Sequence, residues 1–232
     1  MNPDKAYAVL SGDIVDSTDL APAEIQAVFE HVERAVMAFK VAGWGRLSGP
    51  DFYSGDSWQI VLDTPEQALR LALYLNAYVW AASEVRMRIS IGIGQIDTLD
   101  PEAVSRSFGE AFVLSGRALK RMTLYFDLTC AVPETAKPLT TWLPVVTHLC
   151  SSLVRQWTQR QAEVLSHAVL MQTPLHEEVA ASLDPPVRKQ TASDVLRAAN
   201  WRSLQEPLKA FAQTDWDAVI AQSDRETRTR QE

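Results

Sequence analysis

A chain of 232 residues suits one large domain or two small ones, and 47% hydrophobic residues supply enough apolar surface for a packed core rather than a disordered polymer. The net charge of −7 argues against a protein that coats nucleic acid indiscriminately, and two cysteines, Cys130 and Cys150, are too few and too far apart for a metal knuckle or a redox pair. No apolar run approaches the length of a membrane span, and the N-terminus MNPDKAYAVL sets Asp and Pro ahead of a strand instead of a signal segment, so a reduced, cytoplasmic protein is expected.

The first strand is predicted over Ala6–Gly12 and the first helix over Ala21–Val41, where Pro22 suits the first turn and Ile25, Val28, Phe29, Val32, Val36 and Phe39 follow helical spacing. A glycine-rich stretch leads to a strand at Ser57–Leu62. Thr64-Pro65-Glu66 opens a second helix to about Ala82, with Ala68, Leu71, Ala72 and Leu75 on its inner face. Met87–Gly94 alternates Met87, Ile89, Ile91 and Ile93 with Arg88, Ser90, Gly92 and Gly94, the period of a strand. A helix over Glu110–Met122 and a strand near Leu128–Val132 close a front half of split-βαβ, ferredoxin-like order. Beyond Glu134 strand signals vanish. Helices are expected over Leu139–Arg155, Gln159–Met171, Thr173–Leu183, Thr191–Ala199 and Gln205–Ala212, with Asp184-Pro185-Pro186 as a break and SDRETRTRQE as a frayed tail. The expected layout is therefore an α+β domain over 1–134, a bridging helix over 135–156, an all-α domain over 157–213 and a tail over 214–232.

Two aspartates stand in matching settings: Asp13 in YAVLSGDIVDST and Asp56 in YSGDSWQIVL, each beside a glycine at one end of a short apolar run. If the two strands are neighbours, their carboxylates meet at one edge, and a divalent cation is the usual remedy for their repulsion. The alternative is that each caps a turn. Ser11, Gly12 and the backbone after Asp13 are candidate donors to phosphate oxygens at a helix N-terminus.

The four segments GDIVDST, SGDSWQIVL, RISIGIGQID and GEAFVLSGRAL, in this order, resemble the class III nucleotidyl cyclase homology domain, a palm-type fold, over roughly residues 5–132. The resemblance implies that Asp13 and Asp56 ligate Mg²⁺ or Mn²⁺, that Arg117 is the catalytic arginine that stabilises charge on a transferring phosphate, and that Ser115 lies on the nucleotide-contacting helix. It also implies a nucleoside triphosphate ligand and a homodimer, with aspartates and arginine supplied by opposite subunits. Two positions depart from the pattern: Val113 stands where active members carry an asparagine, and Phe52 where they carry a base-reading lysine. Neither side chain can donate a hydrogen bond, so ordinary cyclic AMP synthesis is not expected.

The overall pattern is similar to that of bacterial SatD-like proteins, a cyclase-like domain followed by a helix-turn-helix. Residues 1–150 carry 12 Lys/Arg against 18 Asp/Glu, a net of −6, whereas 151–213 carry 7 against 6, a net of +1, so the back half can approach phosphates. Arg188 and Lys189 precede the third helix, and Gln190, Thr191, Ser193 and Arg197 line its polar side, residue types suited to phosphates and base edges of double-stranded DNA. A protein-contact module and plain structural support remain the alternatives. The expected function is a cytoplasmic DNA-binding regulator with a diverged nucleotide-sensing domain; the alternative is a metal-dependent nucleotidyl cyclase or nucleotidyltransferase of unusual base choice.

Overall fold

The computed structural model describes residues 5–46, 48–100 and 103–231. Residues 1–4, which supported the reading of the N-terminus, lie outside it. Five strands form one sheet in the order β2-β3-β1-β4-β5. They are β1 Tyr7–Ile14, β2 Asp51–Tyr53, β3 Ser57–Leu62, β4 Met87–Gly94 and β5 Leu128–Ala131. β1 is central and antiparallel to both β3 and β4, while β5 runs parallel to β4. With α1 Pro22–Val41 and α2 Ala68–Ser83, the first four strands take the expected split-βαβ order. β2 escaped the sequence reading because three residues are too few for an alternation signal.

The alternation of each strand sorts its residues between two layers. Ala8, Leu10, Ile60, Leu62, Ile89, Ile91 and Cys130 face the main core beneath α1 and α2. Val9 and Val61 face the opposite side, where they meet Ala111 of α3 Glu110–Arg121. α3 lies almost on the backbone of β4. A Cβ added to Gly92 would stand 2.3 Å from the Ala111 carbonyl oxygen and 2.4 Å from the Ser115 nitrogen, so only glycine admits this approach.

The remaining helices are α4 Leu139–Val154, α5 Gln159–Leu170, α6 His176–Ser182, α7 Lys189–Ala198, α8 Trp201–Gln213 and α9 Trp216–Gln231. They share the core of the front half. α5 stacks on α2, where Leu69 and Leu73 are buried along with the inner-face residues read from the sequence, and Tyr74 meets Phe39 of α1. The seam is also hydrogen-bonded. Trp44 Nε1 donates to the Leu170 carbonyl at 2.7 Å, an Arg70 guanidinium N–H to Val169 at 2.7 Å, and Trp80 Nε1 to Trp157 at 3.0 Å. Ahead of SDRETRTRQE the chain is packed: α9 starts at Trp216, buries Trp216 and Ile220, and its Asp217 accepts the Ala6 backbone N–H at 2.7 Å.

Candidate functional site

The face of the sheet that carries α3 is apolar at one end and polar at the other. Register explains the polar end. Asp13 pairs with Ser57 on one side and Arg88 on the other; Ser11 pairs with Gln59 and Ser90; Tyr53 and Asp51 extend the rows on β2. All of these lie on one face, because paired residues share a face. The expectation that the Asp13 and Asp56 segments are neighbours is met: Asp56 immediately precedes Ser57, the partner of Asp13. Ser54 and Gly55, both at positive φ (54° and 84°), turn the chain from β2 to β3 and deliver Asp56 to this edge.

The Asp13 carboxylate is held by a guanidinium. Arg88 Nε donates to one oxygen at 2.9 Å and Nη2 to the other at 2.5 Å, a bidentate pair in which the Asp13 side chain is only 15% exposed and that of Arg88 28%. The hydrogen bond to Asp13 raises the Arg88 pKa, and the charges of Asp13, Asp56 and Asp127 add to it. Burial, then Asp13 and Asp51, raise the Tyr53 pKa, so the phenol is neutral at physiological pH. Asp56 accepts the Ser17 hydroxyl at 2.6 Å and the Ser57 hydroxyl at 3.2 Å. On the far side of Arg88, Asp127 accepts from Arg155 at 2.7 Å and lies 3.8 Å from Arg86; burial pushes its carboxyl up against the pull of these arginines.

A divalent ion needs free, convergent oxygens. Here both Asp13 oxygens bind Arg88, both Asp56 oxygens bind serine hydroxyls, and the described residues contain no group of three or more acidic, His or Cys side chains placed to hold a metal. The arrangement therefore does not fit the Mg²⁺ or Mn²⁺ site expected at Asp13 and Asp56. The Arg88 guanidinium already neutralises the Asp13 carboxylate, on the side away from Asp56.

The expected phosphate donors are placed elsewhere. Ser11 and Ser115 are both fully buried and hydrogen-bond each other at 2.9 Å, with Gln59 Nε2 donating to Ser11 at 3.1 Å. Their hydroxyls fasten α3 to β1 and have no path to a ligand. Gly12 lies within β1 under the Trp58 ring, and a Cβ there would stand 2.2 Å from Trp58 Cζ2. After Asp13 the strand ends at Ile14, and the backbone turns through Val15 and Asp16 into a three-residue 3-10 helix, Ser17–Asp19. Phe52 stacks on Phe29 of α1 at 4.2 Å on the core side, and Val113 is 46% exposed. Arg117 is exposed on α3 and lines a cavity between α3 and α4 that Asp13 does not line, so one chain does not bring Arg117 to the carboxylates. Sequence reasoning missed Arg88, Ser17 and Tyr53. The signal for Arg88 was its place in the polar half of the β4 alternation.

On α7, Arg188, Lys189, Gln190, Thr191 and Arg197 are exposed, as expected, whereas Ser193 is partly buried and bonded to His176 at 3.1 Å. Acidic side chains share this face. Asp194 accepts from Gln190 at 3.0 Å and Arg197 at 2.7 Å, and Glu177 lies 3.9 Å from Lys189. Both cysteines are free and buried; burial pushes the Cys150 thiol up to about 11 and Cys130 higher still. No helix among the described residues is long and apolar enough to cross a membrane.

No family model matches the chain, and no curated protein matches it. Among solved structures it is similar to a bacterial light-regulated adenylyl cyclase, with 17% identity, a TM-score of 0.36, and coverage of 55% of this chain and 43% of that one. It is also similar to the guanylyl cyclase Cya2, with 16% identity, a TM-score of 0.34, and coverage of 56% of this chain and 76% of that one. The chain thus spans less than half of the first of these proteins. Neither likeness assigns an activity or a residue.

Proposed function

We propose that this chain is a cytoplasmic regulator that binds a nucleotide at the polar edge of its sheet and contacts double-stranded DNA through α6 and α7, arranged as a helix-turn-helix. One observation carries the nucleotide half: Arg88 is fixed by Asp13 and lines a cleft with Asp16 and Arg155, while Asp56, Ser17 and Tyr53 stand on the other side of Asp13. Two of its five N–H donors engage Asp13, which leaves three oriented donors for phosphate oxygens. The guanidinium supplies the counter-charge, so binding does not require a metal. Titration of each nucleoside triphosphate in EDTA tests this. Binding in EDTA, weakened at least tenfold by Arg88→Gln, supports the reading; binding seen only with Mg²⁺ or Mn²⁺ overturns it. For the DNA half, gel shifts with duplex from upstream of the protein's own gene are expected to weaken with rising salt and with Arg188→Ala or Lys189→Ala. Salt-insensitive or absent binding defeats that half alone.

A second reading has one observation in its favour. Arg117 has no hydrogen-bond or ion-pair partner among the described residues and lies apart from Asp13, as required if a homodimer completes a cyclase or nucleotidyltransferase site from two copies. Pyrophosphate release from any nucleoside triphosphate, abolished by Arg117→Ala, would establish it. Release that is absent at high protein concentration retires it.

A further inference from the structure

Between α3 and α4, above β5, lies a cavity of about 390 Å³ that shares no lining residue with the cleft beside Arg88. Arg117 and Arg121, one turn apart on α3, form one wall. Neither has a partner among the described residues, and two guanidiniums at this spacing repel each other unless an anion lies between them. The opposite side is aromatic: Phe126 stacks on His148 of α4 with centroids 3.9 Å apart and planes 7° from parallel. Burial lowers the His148 pKa, so this platform is uncharged at neutral pH.

The floor supplies a separate indication. Thr129 pairs in register with Ser90, which places its side chain on the α3 side of the sheet, and the residue is only 7% exposed. Its hydroxyl has no hydrogen-bond partner among the described residues although it lines the cavity. The hydroxyl is open to the cavity, so an oxygen from outside the chain can hydrogen-bond to it there. Glu134 lies at the other end of the lining and restricts an anion to the arginine end.

We propose that this cavity binds a small organic phosphate, with its phosphate on Arg117, Arg121 and the Thr129 hydroxyl and its flat apolar body against Phe126. The site is separate from the sheet edge, so the two stand or fall independently. Isothermal titration of the full chain in EDTA, with phenyl phosphate and inorganic phosphate as probes, tests it. Phenyl phosphate is expected to bind at least tenfold more tightly than inorganic phosphate. Arg121→Gln should weaken it at least tenfold and the isosteric Thr129→Val severalfold, while Arg88→Gln leaves it unchanged. Circular dichroism confirms that each variant is folded; should Arg121→Gln not fold, Thr129→Val decides. No binding, equal affinity for the two probes, or affinity untouched by both cavity variants overturns the proposal. Loss in folded Arg88→Gln also overturns it, because the phosphate then sits at the sheet edge.

Discussion

Asp13 and Arg88 depend on each other because neither side chain has enough solvent to stand alone. Removing the guanidinium leaves a carboxylate in a confined, partly dry setting, and Arg88→Gln is expected to lower stability by about 2 kcal/mol, below the 3–5 kcal/mol typical of fully buried pairs. Asp13→Asn in the same background should recover part of that loss, a coupling that thermal denaturation of the two single variants and the double variant measures directly. The same substitution uncovers the Asp13 carboxylate. Mn²⁺, followed by electron paramagnetic resonance, is therefore expected to bind Arg88→Gln more tightly than wild type; equal binding would show that Arg88 is not the resident cation. Gly12 makes a second residue-scale case, since Gly12→Ala drives a methyl group into the Trp58 ring. A loss of about 1–3 kcal/mol in chemical denaturation is expected, as for an overpacked core, and an unchanged midpoint would mean that the ring shifts freely.

Among the elements, α2 shows where the sequence was clear and where it was not. Its helical character and its sheet-facing residues were legible from period and capping residues. Its second apolar side was not, because the segment ALRLALYLNAYVW is apolar nearly all round and periodicity cannot tell which element covers the far side. α5 covers it. The same limit applies at the site. The neighbouring carboxylates followed from the strand assignments, but the Arg88 clamp depends on pairing β4 against β1, a long-range register no local pattern encodes. A further prediction belongs to this scale. Trp157 is buried, accepts Trp80 Nε1 at its carbonyl and donates its own Nε1 to Ala199, so it joins α2, α5 and α7. Trp157→Ala is expected to cost about 3–5 kcal/mol. Unfolding followed by far-ultraviolet circular dichroism and by tryptophan fluorescence should still coincide. Two separated transitions would show that the halves hold together only through this ring.

Over the whole molecule, acid response follows from histidines distributed across both halves. Burial is the largest cause lowering the pKa of His31, His148 and His167, with Arg34 adding to the effect at His31. A depressed folded-state value means that the unfolded chain takes up protons first as pH falls. The stabilisation is therefore present above the unfolded value of about 6.5 and is lost as pH drops through the lower folded values. Melting temperature is expected to fall between pH 7.5 and 5.5, before ordinary carboxylates titrate. His148→Phe keeps the stack on Phe126 and removes a titrating group, so its melting temperature should fall less steeply over the same interval. A slope identical to wild type would assign the acid sensitivity to the other two histidines. That outcome would also show that His148 titrates alike in the folded and unfolded chain, so the Phe126 platform beside the α3–α4 cavity gains charge within the range.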